Sequence, residues 1–496
     1  MGDVLSIALS AVGNFETLAT IALATLAGVV FGIVPGLGGK LAIALFIPVV
    51  ILLEPRAGLI FLVSMHAVVH TGGSIPSILL GIPGSGPDAA TVIDGYPMAQ
   101  QGQAGRALGA SLFASACGGV IGALFLFCLL PLLEPILLLI GPSEFFLLAV
   151  LGITTIAAVS GRDLNKGIVT ACFGLALTCV GLSPNSGEPR FTFGQLFLWD
   201  GVDFVTAILA IFVIPEMIAA GIAPARPDAN SAGYLAYRRS DLWSGMRDVI
   251  THRWLALRTS LLGSFIGMIP GLGGDVAAWV SYGHAVQSSK HPERFGKGAV
   301  EGVIAPETAN NAKEGGALLP TLFLGIPGSS GMAVLLGAFV VLGIQPGPEL
   351  LATQRPLVIE LVTVLVVSNV MAVVLLLMLA RHLVGIARFP NVLLVPVVLA
   401  LVVTGCLLSS HHWQNLLLLL VLGTIGWGLK RYGWPRPPFA IGLALGAIAE
   451  NALQQSLAIW GWEFLLRTPS LILVALIVAS LAAYFYRRRD TNAPGN

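Results

Sequence analysis

The sequence predicts an all-α polytopic membrane protein with about a dozen transmembrane helices, set in two repeated halves of inverted topology and interrupted by broken helices and re-entrant loops. Three observations carry this prediction. Of 496 residues, 56% are hydrophobic and only 10% are charged, against roughly 25% charged in soluble domains. Apolar stretches of roughly 20 residues, the length that crosses a hydrocarbon core, recur along the whole chain; Ala110–Leu133, Val358–Ala380, Val392–Leu408 and Leu471–Tyr484 are examples. In lipid such stretches must be helical, because nothing there hydrogen-bonds an open backbone amide. Third, two different motifs recur in the same order in both halves.

The first motif is Gly28-Val-Val-Phe-Gly32-Ile-Val-Pro35-Gly36-Leu37-Gly38-Gly39. It returns as Gly263-Ser-Phe-Ile-Gly267-Met-Ile-Pro270-Gly271-Leu272-Gly273-Gly274, an offset of 235. The second, Pro76-Ser-Ile-Leu-Leu-Gly81-Ile82-Pro83-Gly84-Ser85, returns as Pro320-Thr-Leu-Phe-Leu-Gly325-Ile326-Pro327-Gly328-Ser329, an offset of 244. The chain is therefore a duplicated unit. Its expected organisation is a first membrane repeat over 1–222, a polar cytoplasmic linker over 223–258, a second membrane repeat over 259–486 and a cytoplasmic tail over 487–496. The linker is rich in arginine (Arg226, Arg238, Arg239, Arg247, Arg253, Arg258), and so is the tail (Arg487, Arg488, Arg489). Loops rich in Lys and Arg stay cytoplasmic. No Lys or Arg precedes Lys40, so an outside start and an inside centre give the first half an odd number of crossings and invert the second. Asp3 replaces the basic start of a secretory leader, and the first span is expected to remain in the mature protein.

Proline and glycines in Pro-Gly-Leu-Gly-Gly break a helix: proline removes a donor, and each glycine costs about 1 kcal/mol relative to alanine. Inside a membrane a broken helix persists only where protein or a water-filled cavity satisfies it. Freed carbonyls can then hold a cation, and the restarting helix offers amide hydrogens to a carboxylate. Candidate substrate- or ion-binding residues are thus Pro35, Gly36, Gly38 and Gly39, with Pro270, Gly271, Gly273 and Gly274 in the second half. Gly84, Ser85, Gly328 and Ser329 offer the same device with added hydroxyls. The plainer reading of any single motif is close helix packing through small residues.

Before the second Gly-Ile-Pro motif runs a dense polar stretch, Glu301 to Gly316, with Glu307, Thr308, Asn310, Asn311, Lys313 and Glu314. Oxygen ligands suit sodium, and Asn and Thr also donate to carboxylates, which makes Thr308, Asn310 and Asn311 candidates. The matching stretch of the first half carries Ser64, His66, His70, Thr71 and Ser74, of which Ser74 is a candidate and the histidines read as packing residues. Asp88 and Asp94-Gly95-Tyr96-Pro97 read as a polar mouth or loop. Lys40, Arg106 and Lys313 are the basic residues nearest the motifs; each could attract an anion or snorkel to the interface.

Several classes are excluded. A net charge of +1 implies no nucleic-acid partner. Gly39-Lys40 is followed by Leu41 where a phosphate loop needs Ser or Thr, so no nucleotide site is expected. Cys117, Cys128, Cys172, Cys179 and Cys406 lack metal-ligand spacing and read as small buried hydrophobes. No firm metal site and no cofactor is expected beyond a coupling sodium ion or proton. An intramembrane enzyme using His66, His70 or Glu307 lacks any nucleophile–base pairing in the sequence. A passive channel or structural membrane scaffold would tolerate the same glycine-rich breaks.

Together, the paired Pro-Gly-Leu-Gly-Gly motifs, Asp94-Gly-Tyr-Pro-Met, Gly102-Gln-Ala-Gly105-Arg106-Ala-Leu-Gly and Glu301-Gly-Val-Ile-Ala-Pro-Glu-Thr-Ala-Asn-Asn resemble the tripartite tricarboxylate transporter family, in its large membrane subunit of the TctA type. The resemblance covers nearly the whole chain. It implies a multi-pass protein of the bacterial inner membrane that works with a small membrane subunit of the TctB type and a periplasmic solute-binding protein of the TctC type. It also implies import of an organic carboxylate driven by a sodium or proton gradient. The family's residue roles are not carried over, so the candidate residues rest on the backbone argument alone.

Overall fold

The computed structural model describes residues 2–34, 38–137, 141–154, 164–183, 187–222, 239–269, 275–347, 350, 353–379, 391–410 and 412–491. Helices dominate them, joined by turns and one short hairpin that pairs Gly181–Leu182 antiparallel with Pro189–Arg190. The all-α class follows, as lipid-embedded backbone demands.

The expected dozen spans are not reached among the described residues. Five helices are long and apolar enough to cross a bilayer: Phe15–Ile33, Pro55–Leu80, Ala89–Leu132, Phe204–Ile222 and Arg355–Leu379. A pair bent by 68°, Pro437–Leu466 with Thr468–Ala479, makes six if it counts as one span. The count is of the described residues, and among them two features keep helices out of it. Breaks cut apolar stretches into shorter helices such as Gly38–Val50 and Ser330–Val341. The 23-residue helix Glu301–Phe323 has spanning length, yet carries Glu301, Glu307, Lys313 and Glu314.

Duplication of the motifs extends to their backbone. The helix before the first break ends at Val34 with φ −81° and ψ 109°. Its counterpart ends at Ile269 with φ −82° and ψ 114°. Before the second motif, Gly81 and Gly325 both turn left-handed, at φ 67° and 64°, a region where a glycine escapes the Cβ clash. In both copies the following isoleucine amide returns to a proline carbonyl: Ile82 to Pro76 at 3.3 Å, Ile326 to Pro320 at 3.1 Å.

Packing repeats as well. Helix Phe15–Ile33 lies against Pro55–Leu80, and helix Arg253–Met268 lies against Glu301–Phe323. Gly28 and Gly32 meet the backbone at Met65 and Val69; at the repeat offsets, Gly263 and Gly267 meet it at Ala309 and Lys313. Helices without a hydrophobic drive between them associate through such close approaches. The two halves then exchange partners. Helix Ala104–Leu137 of the first half packs on Glu301–Phe323 and Arg253–Met268, while Arg355–Leu379 of the second packs on Pro55–Leu80 and Phe15–Ile33. In consequence Pro55–Leu80 is buried from Gly58 to Leu79, and Glu301–Phe323 from Gly302 to Phe323.

Residues 239–258, expected as solvated linker, are largely helical. Arg239–Thr251 packs along Ala104–Leu137, with Gly109 against Leu242 and Gly245 against Arg106, and Arg106 Nε lies 2.6 Å from Asp248 Oδ2. The next helix, Arg253–Met268, begins inside the expected linker; its first turn carries the positive charge into the second half. Asp94, expected in a polar mouth, is fully buried. It accepts from the amides of Gly298 and Ala299, both at 2.9 Å, and from the Tyr282 hydroxyl at 2.9 Å, tying the halves together. Of the cysteines only Cys406 is buried, and Cys128 and Cys172 lie exposed on apolar helices. A thiol behaves as a small apolar group, so lipid suits it as well as a core.

If these glycines set the helix separation, a methylated side chain there must push helices apart. Gly32→Val and Gly267→Val should each cost about 1–3 kcal/mol, read as a fall in thermal unfolding temperature in detergent. Gly283→Val is the control, because a Cβ at Gly283 meets nothing within 4 Å. Equal stability of all three variants would refute close packing at these contacts.

Candidate functional site

The two buried helices bring their polar residues together across the interface between halves. On Pro55–Leu80, His66 and His70 sit one turn apart and so share a face. Opposite them, Glu314 lies close to both: its Oε2 is 3.2 Å from His66 Nε2 and its Oε1 is 3.2 Å from His70 Nε2. Lys313 donates to the Glu314 carboxylate, and its Nζ is 3.2 Å from His70 Nε2. All four side chains are at least nine-tenths buried. His66, His70 and Glu314 have the donor types and mutual reach to hold a metal ion, with ligand atoms within 4.8 Å of one another. Lys313, however, already sets an ammonium against His70 and Glu314 and supplies the positive charge that a metal would bring.

A hydrogen-bonded row leads inward from there. His70 Nδ1 is 3.3 Å from Ser85 Oγ, which donates to Asp88 Oδ2 at 2.7 Å. Because the serine gives its hydrogen to Asp88, the consistent tautomer has His70 Nδ1–H donating to Ser85 and Nε2 facing Lys313. Asn310 Nδ2 donates to the other Asp88 oxygen at 3.0 Å. One turn back along the same helix, Glu307 accepts from Thr91 Oγ1 at 2.5 Å and from Ser115 Oγ at 2.8 Å.

Beside the histidines opens a cavity of ≈ 300 Å³. Gly38–Leu41, the first turn of helix Gly38–Val50, forms one wall, and Ser329–Gly331, at the start of helix Ser330–Val341, forms another. The loop Gly84–Pro87 completes this side, with His66, His70 and Lys313 at the base. Glycine is required where the helices begin: a Cβ at Gly39 would stand 2.9 Å from His66 Nδ1, and one at Gly331 2.9 Å from His66 Nε2. The far side is Phe212, Glu216, Arg436 and Pro437. There Glu216 joins Arg436 at 2.7 Å and Lys430 at 2.5 Å. The cavity thus receives two helix N-termini, where backbone amides and the helix dipole favour an anion.

Of the candidates read from sequence, Gly38, Gly39, Gly84, Ser85 and Ser329 line this one cavity, from both halves of the chain. Others lie elsewhere. Ser74 Oγ donates to the Thr71 carbonyl and accepts from Ser111 within the core. Thr308 Oγ1 meets Thr259 Oγ1 at 2.7 Å on the opposite side of its helix. Asn311 Nδ2 donates to Thr71 Oγ1 and Asn369 Oδ1, both at 2.7 Å, joining three helices. The Gly328 amide donates to Thr321 Oγ1 at 3.2 Å. Asn310 reaches the row through Asp88. Pro35 and Gly36, and Pro270, Gly271, Gly273 and Gly274, lie outside the described residues. His66, His70, Lys313, Glu314 and Asp88 were not among the candidates, yet the repeat offset of 244 places His66 on Asn310 and His70 on Glu314.

Comparison with known proteins identifies the family. The model of the tripartite tricarboxylate transporter TctA family matches residues 18–441. An uncharacterized 52.8 kDa protein in the TAR-I ttuC' 3' region of Agrobacterium vitis is 32% identical over 457 residues, covering 92% of this chain and 90% of that protein. A second uncharacterized protein, in the TAR-II ttuC' 3' region of the same organism, is 34% identical over 197 residues, covering 40% of this chain and 81% of its own length. No solved structure matches. With the family model spanning most of the sequence over a multi-pass helical fold, the chain belongs to the tripartite tricarboxylate transporter TctA family.

Proposed function

We propose that this chain is the large membrane subunit of a binding-protein-dependent secondary transporter that imports tricarboxylates or related organic carboxylates across the bacterial inner membrane. A sodium or proton gradient drives it. A small membrane subunit of the TctB type and a periplasmic binding protein of the TctC type complete the system. One observation carries this reading: two short helices, from different halves of the duplication, start at the same cavity. Their amides, with Lys313, form a setting for a carboxylate at the meeting of the repeats. The volume lies at the lower end of small-ligand pockets, about 300–1,000 Å³, which suits a compact acid. An inverted relation between the halves would place the site near the midplane and let it open alternately to either side.

Ser85 donates to Asp88 rather than to His70 in this arrangement, which does not favour an enzyme reading. A passive channel remains the other reading, and energetics separate the two. In vesicles holding all three components, labelled citrate or a dicarboxylate should accumulate against its gradient, and an ionophore should abolish the accumulation. Uptake that only equalises concentrations would establish a channel. Gly331→Leu should lower uptake roughly tenfold or more, a loss of about 1.4 kcal/mol or greater, while expression persists; Lys313→Met should lower uptake and also thermal stability, because it leaves buried Glu314 without its cation. Asn311→Ala should instead reduce thermal stability by about 1–3 kcal/mol with half-saturation unchanged. Full uptake by both cavity variants would remove the site assignment.

Topology has its own test. Single cysteines replacing Asp3 and Arg239 should label from opposite faces of the membrane. Labelling from one face would make the repeats parallel.

A further inference from the structure

Glu307 lies completely buried, yet among the described residues no cation forms an ion pair with it. An isolated carboxylate costs several kcal/mol to bury, and such groups take up a neutralising partner instead. Its partners are hydroxyls: Thr91 Oγ1 at 2.5 Å on one oxygen and Ser115 Oγ at 2.8 Å on the other. A hydroxyl can donate or accept. The cage therefore satisfies an ionised Glu307 as acceptor and a protonated Glu307 as donor, with only a rotation of the hydroxyl hydrogens. Asp88 has one such hydroxyl, Ser85, and its other oxygen accepts from the Asn310 amide, so only Glu307 has a reversible partner on both oxygens. A second observation points to the same place. Asn310 is 1% exposed, and its Oδ1 has no hydrogen-bond partner among the described residues, leaving a buried acceptor on the residue one turn from Glu307.

We propose that Glu307, in its cage of Thr91 and Ser115 hydroxyls, is a proton-carrying site separate from the carboxylate cavity, taking up and releasing one proton during the transport cycle. This rests on the reading of the chain as a gradient-driven transporter and names the group on which the driving ion acts. Protonation forms an O–H bond at one Glu307 oxygen, and the proton returns to water when the site opens. The other ionisable groups brought by neighbouring elements are engaged elsewhere or remote. Asp94 is held by Tyr282 and two amides, His66 and His70 face Glu314, and Arg106 pairs with Asp248. Arg253 and Arg258 lie in the first turns of their helix, Asp275 and His284 on helix Asp275–Ser288, and Cys117 on Ala104–Leu137. Asp88, nearest of the acids, keeps its Ser85 and Asn310 donors.

Infrared titration of the full chain in lipid vesicles reads this without any transported solute, so its outcome does not depend on the carboxylate assignment. Native protein should show the carbonyl band of a protonated carboxyl group, lost as pH is raised. Glu307→Gln should lack that band, Glu307→Asp should retain it at a displaced frequency, and replacing sodium chloride by choline chloride should leave it unchanged. An identical band in native and Glu307→Gln protein would overturn the proposal. So would its disappearance on adding sodium at fixed pH, which would make the cage a sodium site. Should Glu307→Gln fail to fold, the displacement in Glu307→Asp still decides: no displacement rejects Glu307 as the carrier.

Discussion

Everything in this molecule depends on burying helix Glu301–Phe323 on every side although it carries Glu307, Asn310, Asn311, Lys313 and Glu314. A charge without a partner costs several kcal/mol in a low-dielectric interior, and a buried unpaired amide costs about 1–3 kcal/mol. The partners cannot come from lipid. They come from helix Pro55–Leu80, which supplies His66, His70 and Thr71, from Asp88 behind it, and from Thr91, Ser115 and Asn369 on helices around it. Neither half of the duplication could fold alone without exposing these groups to hydrocarbon. Their pairing is thus also what holds the halves together.

Close packing makes that pairing reachable. Across the halves Gly118 and Gly122 meet the backbone at Thr308 and Ala312, on the same pair of helices that Ser115 bridges to Glu307. The breaks work in a complementary way. A helix that starts inside the protein leaves its first amides without intrahelical acceptors. At Gly38–Gly39 and Ser329–Gly331 those starts face a cavity, where a ligand's oxygens can take the place of the missing carbonyls.

Symmetry in backbone with asymmetry in side chains is the economical feature of the design. Position by position, the repeats share turn geometry and helix contacts, yet His66 stands where the second half has Asn310, His70 where it has Glu314 and Asp88 where it has Met332. Duplication provides two matched frames, and divergence places acid and base on opposite sides of one interface. Glu307 and the cavity beside Lys313 are then distinct places, and Asn310, Asp88, Ser85 and His70 form a hydrogen-bonded row that ends at the cavity.

Membrane class, duplication and the location of the breaks were legible in the sequence, because each follows from local composition: apolar length, proline's missing donor, glycine's missing Cβ. Five of the candidate residues, Gly38, Gly39, Gly84, Ser85 and Ser329, line one cavity for that reason. That the polar stretch 301–316 belongs to a fully buried helix, Glu301–Phe323, was not legible, since hydropathy cannot tell a buried polar helix from a surface one. Thr308, Asn310 and Asn311 are neighbours in sequence, but helical rotation points them to Thr259, to Asp88 and to Thr71 with Asn369. His66 and His70 looked like packing residues, and Asp94 like part of a loop. Only tertiary structure could set Glu314 across from the histidines and bury Asp94 against Tyr282, because these partners lie hundreds of residues apart and meet only once the two halves interlock.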